Sequence, residues 1–317
     1  MTKRNALTLI LTLALSAIAA AQSPAISPTE RSSALAAGRA FGLEARTLDL
    51  ETFGDRRFTG RSGVLVAEGD SWFDYPRADV LKMLQRQHDY TVESVAQYGH
   101  TLDSMAYDRN QLAGLAGQLK SLRDRGITPK AILISAGGND IAGPELGVML
   151  NNSRSGLGQL NSIIAGELVY RRFQVAMITL LSAVTELGKL NFDRRIPILI
   201  HGYDYPVPDG RGFLGGFWIL PGPWLKPSFA LKGDPLAPNS AAQHQIVLNG
   251  LIDDFNKMLE AIPKIDGLEH VRYVRLVGTL SSSPGNYTSD WGNELHPTPN
   301  GFKRVAEKFH EVIARLP

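Results

Sequence analysis

Gly69-Asp70-Ser71 closes the apolar run Val64 to Glu68 and opens onto Trp72, Phe73 and Tyr75. A serine hydroxyl is barely ionised at neutral pH, so it attacks a carbonyl only with a base in hydrogen-bond reach. The candidate base is His296, in Asn293-Glu294-Leu295-His296-Pro297-Thr298. The oxyanion formed in such an attack needs fixed donors. The backbone N–H of Ser71, the backbone N–H of Gly99 and the side-chain amide of Asn139, in Gly137-Gly138-Asn139-Asp140, are of the right kind. Singly, each piece has a structural alternative. A Ser after a strand is often a helix N-cap, His296 sits in a stretch that reads as a helix start capped by Thr298, and Asn139-Asp140 reads as an Asx turn. Together they follow successive strands or precede the last helix, which puts them on the rim where parallel α/β sheets form sites, and their chemistry is acyl transfer. No G-x-S-x-G, HExxH or P-loop pattern competes. The chain has no Cys, which excludes thiol catalysis and thiolate metal sites.

A sheet is needed to hold these pieces. Val64 to Glu68, Thr91 to Ala96, Ala131 to Ser135, Ile196 to His201 and Val271 to Leu276 are short Val/Ile/Leu runs with almost no alternation, as a parallel sheet covered on both faces requires. Helical patterns lie between and after them: Ala78 to Gln87, Asp108 to Arg125, Asn161 to Lys189, Ala242 to Ala261 and Gly301 to Leu316. In the longest, Ile164, Leu168, Phe173, Met177, Leu180, Leu181 and Val184 make one apolar face, read as core packing. The expected fold is α/β, a three-layer α/β/α sandwich with a mainly parallel five-stranded sheet. Within a domain expected over 41–317, a helical insertion falls near 143–190. A loop at 202–240 holds seven Gly, seven Pro and seven aromatic residues. That composition suits neither regular structure nor disorder, and the apolar part, Gly212 to Leu225, would cover a hydrophobic acyl group as a mobile flap and form a wall or a partner surface as a fixed loop.

Lys3 and Arg4 precede an apolar run ending in Ala19-Ala20-Ala21, the anatomy of a signal peptide over residues 1–21 with cleavage before Gln22. The mature chain is therefore expected outside the cytoplasm, periplasmic or secreted, with no transmembrane segment. Residues 22–40, rich in Ser, Pro and Ala, read as a loose lead-in. Residues 1–21 contain no acid, so the mature chain has 31 basic against 31 acidic residues. That neutral balance gives no case for nucleic acid as a partner, and with no oligomerisation signal a monomer is expected.

The four blocks, Gly-Asp-Ser, a lone Gly after the second strand, G-x-N-D after the third and a late His before a C-terminal helix, resemble those of the SGNH or GDSL-type hydrolases, from Gly69 through His296. The resemblance implies a flavodoxin-like topology and ester hydrolysis through an acyl-enzyme, without cofactor or metal. It makes Ser71 the nucleophile, His296 the base, and Ser71, Gly99 and Asn139 the oxyanion donors. The family's last block is usually D-x-x-H, and here Asn293 stands in the Asp place. Asn293, Asp290 and Glu294 are the candidates for orienting His296. Trp72, His100, His201, Tyr203, Phe217 and Trp218 are candidates for contacting substrate, a small-molecule, lipid-like or acylated-sugar ester. An exported serine esterase or lipase is expected. The rivals are a carbohydrate acetylesterase or acyltransferase, and a decayed hydrolase that only binds ligand.

Overall fold

The computed structural model describes residues 26–48, 60–213, 220–234 and 241–317. The expected leader at 1–21, Phe217 and Trp218 lie outside the described residues. Five apolar runs form strands β1 (Val64–Gly69), β2 (Thr91–Ser94), β3 (Ala131–Ser135), β4 (Ile198–His201) and β5 (Val271–Val274). They pair in the order β2-β1-β3-β4-β5, every pair parallel. All of β3 and β4 is buried, which explains the lack of alternation in their sequences. The β1–β3 register sets Gly69 beside Ser135, so the residues following the two strands emerge next to each other.

Nine helices are described: α1 (Pro28–Thr47), α2 (Val80–His88), α3 (Leu102–Tyr107), α4 (Arg109–Asp124), α5 (Pro144–Val148), α6 (Ser162–Phe192), α7 (Lys226–Leu231), α8 (Ala241–Ala261) and α9 (Pro299–Ile313). Helix α9 packs against α2 and β5, while α4 and α6 pack together on another side of the chain and α8 meets β4. This is the layering that right-handed crossovers produce when a chain steps one way from β1 to β2 and the other way from β3 to β5. Helix α6 is the crossover from β3 to β4, interrupted by one π-helical stretch, Leu168–Phe173. By length and composition it is apolar enough to cross a membrane, yet 78% of that apolar window is buried inside the protein. Its hydrophobicity is that of a core helix.

The loose lead-in is corrected. Over residues 28–40 the chain is already helical, as the first part of α1. Ser27 accepts from the Glu30 N–H while the Glu30 carboxylate accepts from the Ser27 N–H, a reciprocal cap. Ala34, Gly38, Gly42 and Ala45 form a buried stripe of small residues. A Cβ on Gly38 would lie 2.2 Å from the Thr179 carbonyl oxygen, so α1 lies backbone to backbone on α6. A helix that docks through Gly and Ala carries little of the large apolar periodicity by which helices are read in sequence.

Candidate active site

Asp70 fixes the turn that carries Ser71. Its Oδ1 accepts from the Trp72 N–H (2.9 Å) and the Ser135 hydroxyl (2.7 Å), and its Oδ2 accepts from the Tyr203 hydroxyl (2.9 Å). The Asp70 N–H donates to the Ser135 carbonyl at 3.1 Å. The turn is thus tied to the ends of β3 and β4. Burial raises the Asp70 carboxyl to about 6, against the pull of the Ser135, Trp72 and Tyr203 hydrogen bonds. Ser71 is not a helix cap: α2 starts nine residues later, and its N-cap is Asp79, which accepts from the Lys82 N–H at 2.7 Å. Instead the Ser71 hydroxyl donates to His296 Nε2 at 2.7 Å, both residues being buried.

Asn293 sets which nitrogen of His296 is free for that bond. Its Oδ1 accepts from the Leu295 N–H (2.9 Å), the His296 N–H (2.8 Å) and His296 Nδ1–H (3.0 Å). With three donors converging on Oδ1, the amide has one sensible orientation, and Nδ1 carries the proton. Nε2 is then the acceptor that a general base needs to be. Burial holds His296 far below the ordinary imidazole range, at about 3.

The other two candidates for orienting His296 are corrected. Asp290 Oδ2 accepts from the Ser281 N–H (2.7 Å) and from Arg304 (2.6 Å). Glu294, fully buried, takes four backbone N–H groups: Gly210 (2.9 Å) and Lys226 (3.1 Å) on Oε1, Trp224 (2.6 Å) and Leu225 (2.7 Å) on Oε2. Glu294 is taken up by the 202–240 loop, while its neighbour Asn293 faces the imidazole.

Gly99 has φ +85°, in the left-handed region, and nothing lies within 4 Å of where its Cβ would be. Backbone conformation rather than space calls for glycine here. Asn139 Nδ2 donates to the His100 carbonyl at 2.8 Å, which spans from the loop after β3 to the loop after β2 and leaves its second N–H. Among the described residues the N–H groups of Ser71 and Gly99 have no protein acceptor. Asp140 is not a local Asx turn; it accepts from the N–H groups of Leu102 (2.6 Å) and Asp103 (3.1 Å) at the start of α3.

Ser71, Asn139 and His296 line a cavity of about 50 Å³ whose far wall is Ile141, Leu146, Leu225, Leu248, Leu251 and Ile252. Of the substrate-contacting candidates, Trp72 and Tyr203 line it too. Trp72 also donates from Nε1 to the Leu295 carbonyl at 3.1 Å, and Tyr203 accepts from the Gly138 N–H at 3.0 Å. His201 is corrected: it is buried among the rings of Trp72, Phe73, Tyr203 and Phe309, and its Nδ1 donates to the Gly202 carbonyl at 2.6 Å. His100 is away from the cavity, its ring nitrogens on Glu68 (3.3 Å) and Gln97 (3.1 Å). Sequence reasoning missed the role of Tyr75, whose ring stacks on His296 with centroids 4.2 Å apart and planes 19° apart. Its only signal was an aromatic four residues past the serine.

The blocks that resemble those of the SGNH hydrolases come together in the fold: Ser71, Asn139 and His296 line one cavity beside a parallel five-stranded sheet. No protein-family model and no curated protein matches it. Among solved structures it is similar to an extracellular lipase from Streptomyces rimosus, at 16% identity over 78% of this chain and 99% of that one, with a TM-score of 0.43. It is also similar to an aryl esterase from M. smegmatis (12% identity, 80% and 100% covered, TM-score 0.42). A G-D-S-L family lipolytic protein from Veillonella parvula is similar as well (13% identity, 80% and 99% covered, TM-score 0.40). The SGNH reading of the site rests on the residues of this chain.

Proposed function

We propose that the protein is an exported serine esterase. The observation that carries this reading is the 2.7 Å bond from Ser71 to His296 Nε2, with Nδ1–H held by Asn293, opening onto an apolar cavity. Ser71 Oγ attacks the ester carbonyl as its proton passes to Nε2, and the oxyanion takes the N–H groups of Ser71, Gly99 and Asn139. His296 protonates the departing alcohol. Water then attacks the acyl-enzyme with His296 again taking the proton, which frees the acid and restores Ser71. Export rests on the leader pattern in residues 1–21.

The acyl group occupies the apolar cavity. The cavity is small, about 50 Å³, and its lining is mostly aliphatic, which favours a short acyl group over a long chain. Acetyl to butyryl esters are the preferred substrates. The test is hydrolysis of nitrophenyl esters of increasing acyl length by residues 22–317, beside Ser71→Ala and His296→Ala. Each substitution is expected to lower turnover at least about 10³-fold with the fold intact. Equal rates for parent and Ser71→Ala would refute the enzyme. An optimum at about eight carbons or more would refute the acyl assignment of the cavity while leaving the serine mechanism standing.

A second reading, a ligand-binding descendant that has lost catalysis, is favoured only by Asn293 in place of a carboxylate. Covalent labelling of Ser71 by a serine-directed phosphonate would rule it out.

A further inference from the structure

Asn293 is buried and its amide nitrogen donates to the Tyr75 hydroxyl at 3.0 Å, at the end opposite to His296. Tyr75 is itself held on three sides. Its N–H donates to Asp79 Oδ2 (3.3 Å), its carbonyl accepts from Lys82 Nζ (2.8 Å), and its ring meets Phe213 and Phe302 at 5.7 and 5.9 Å. We propose that Tyr75 is a positioning residue in a charge-neutral relay: its hydroxyl locks the Asn293 amide with Oδ1 toward His296, and its ring face supports the imidazolium that forms in turnover. The proposal rests on the Ser71–His296 reading and names what replaces the missing carboxylate.

None of the surrounding carboxylates bonds the His296 ring, whose Nδ1–H goes to Asn293 and whose Nε2 goes to Ser71. Asp70 is taken up by Trp72, Ser135 and Tyr203, and Glu294 by four backbone N–H groups. Asp290 pairs with Arg304 and the Ser281 N–H, and Asp79 with Lys82 and the Tyr75 N–H. Asp204 accepts from the N–H groups of Tyr205, Gly278 and Leu280. Asp209 pairs with Arg211, which donates to the Trp291 and Gly292 carbonyls. A π face within about 6 Å attracts a cation without putting a full charge beside the neutral ring. Burial, with no carboxylate beside the ring, keeps the base unprotonated, and competent, well into the acid range. In a carboxylate triad the acid limb would lie higher, because an opposite charge favours the protonated ring.

The experiment follows kcat and KM for nitrophenyl acetate against pH, and in parallel the titration of the His296 ring by NMR, which reads the relay without turnover. Tyr75→Phe keeps the stack and loses the hydroxyl; it is expected to lower kcat about tenfold, the share of one hydrogen bond, with KM little changed. Tyr75→Leu removes the ring as well and is expected to lower kcat further. Asn293→Asp is expected to raise the acid limb and the His296 midpoint by about 1–3 pH units, and in that background Tyr75→Phe should cost less than it does alone. Unchanged kcat in Tyr75→Phe, or a His296 midpoint that Asn293→Asp does not move, overturns the proposal. Turnover by Ser71→Ala at the parental rate instead overturns the serine reading beneath it.

Discussion

Replacing Glu294 with Gln changes one atom type at the point where the 202–240 loop is tied to the block that carries His296. The carboxylate takes four backbone N–H groups, two on each oxygen. A Gln side chain can present its single oxygen to one pair only; its NH₂ then faces the other pair, donor against donor. Two N–H groups, at least one of them only part-buried, lose their partner, at up to about 1–3 kcal/mol each, so Glu294→Gln is expected to destabilise by about 1–4 kcal/mol. The upper end of that range is a large share of the ~5–15 kcal/mol by which domains are usually stable. The residues tied by this carboxylate include Trp224, whose ring lies 5.6 Å from that of His296, and Leu225 in the cavity wall. Turnover is therefore expected to fall together with stability. Urea unfolding at neutral pH gives the first quantity and kcat/KM for nitrophenyl acetate the second. A stability change below about 0.5 kcal/mol, within the usual range of a surface substitution, would refute the reasoning that these four bonds hold the loop.

Three further outcomes follow from the same geometry. Asn139→Ala removes the proposed oxyanion donor and is expected to lower kcat about 10²–10³-fold with KM little changed, which steady-state kinetics would check. Burial holds His201 at about 4 against an ordinary 6.5, so the unfolded chain takes up a proton as pH falls through that window while the fold does not; stability falls by about 3 kcal/mol between pH 6.5 and 4 on this account. Asp70, raised to about 6, acts in the opposite sense over the same range, and urea unfolding of His201→Phe at pH 7 and pH 4 isolates the histidine as a shallower acid loss. Gly38→Val drives a side chain into the Thr179 carbonyl and the Ser182 side chain, and is expected to cost about 1–3 kcal/mol or more in thermal unfolding.

The sheet was legible because a parallel strand covered on both faces needs nothing but a short apolar run, and β3 and β4 are such runs. The serine, the histidine, the lone glycine and the asparagine were legible because their order along the chain carries the resemblance, and strand ends of one parallel sheet share a rim. Helix α1 was not legible, since its contact with α6 is made by Gly and Ala and leaves no periodic trace of large apolar residues. Nor was the fate of the carboxylates around His296. Asp290, Asn293 and Glu294 are neighbours in sequence, and only the turn between Trp291 and His296 decides that the amide faces the imidazole while Glu294 faces the loop and Asp290 faces Arg304. His201 and Tyr75 divide in the same way. By position His201 ends a strand on the catalytic rim, but its ring points into an aromatic core, whereas Tyr75 folds back over His296 from a loop. Which residue types are present is a property of the sequence alone; which way a side chain points at a strand end or in a tight turn depends on packing from distant parts of the chain, and only the tertiary structure supplies it.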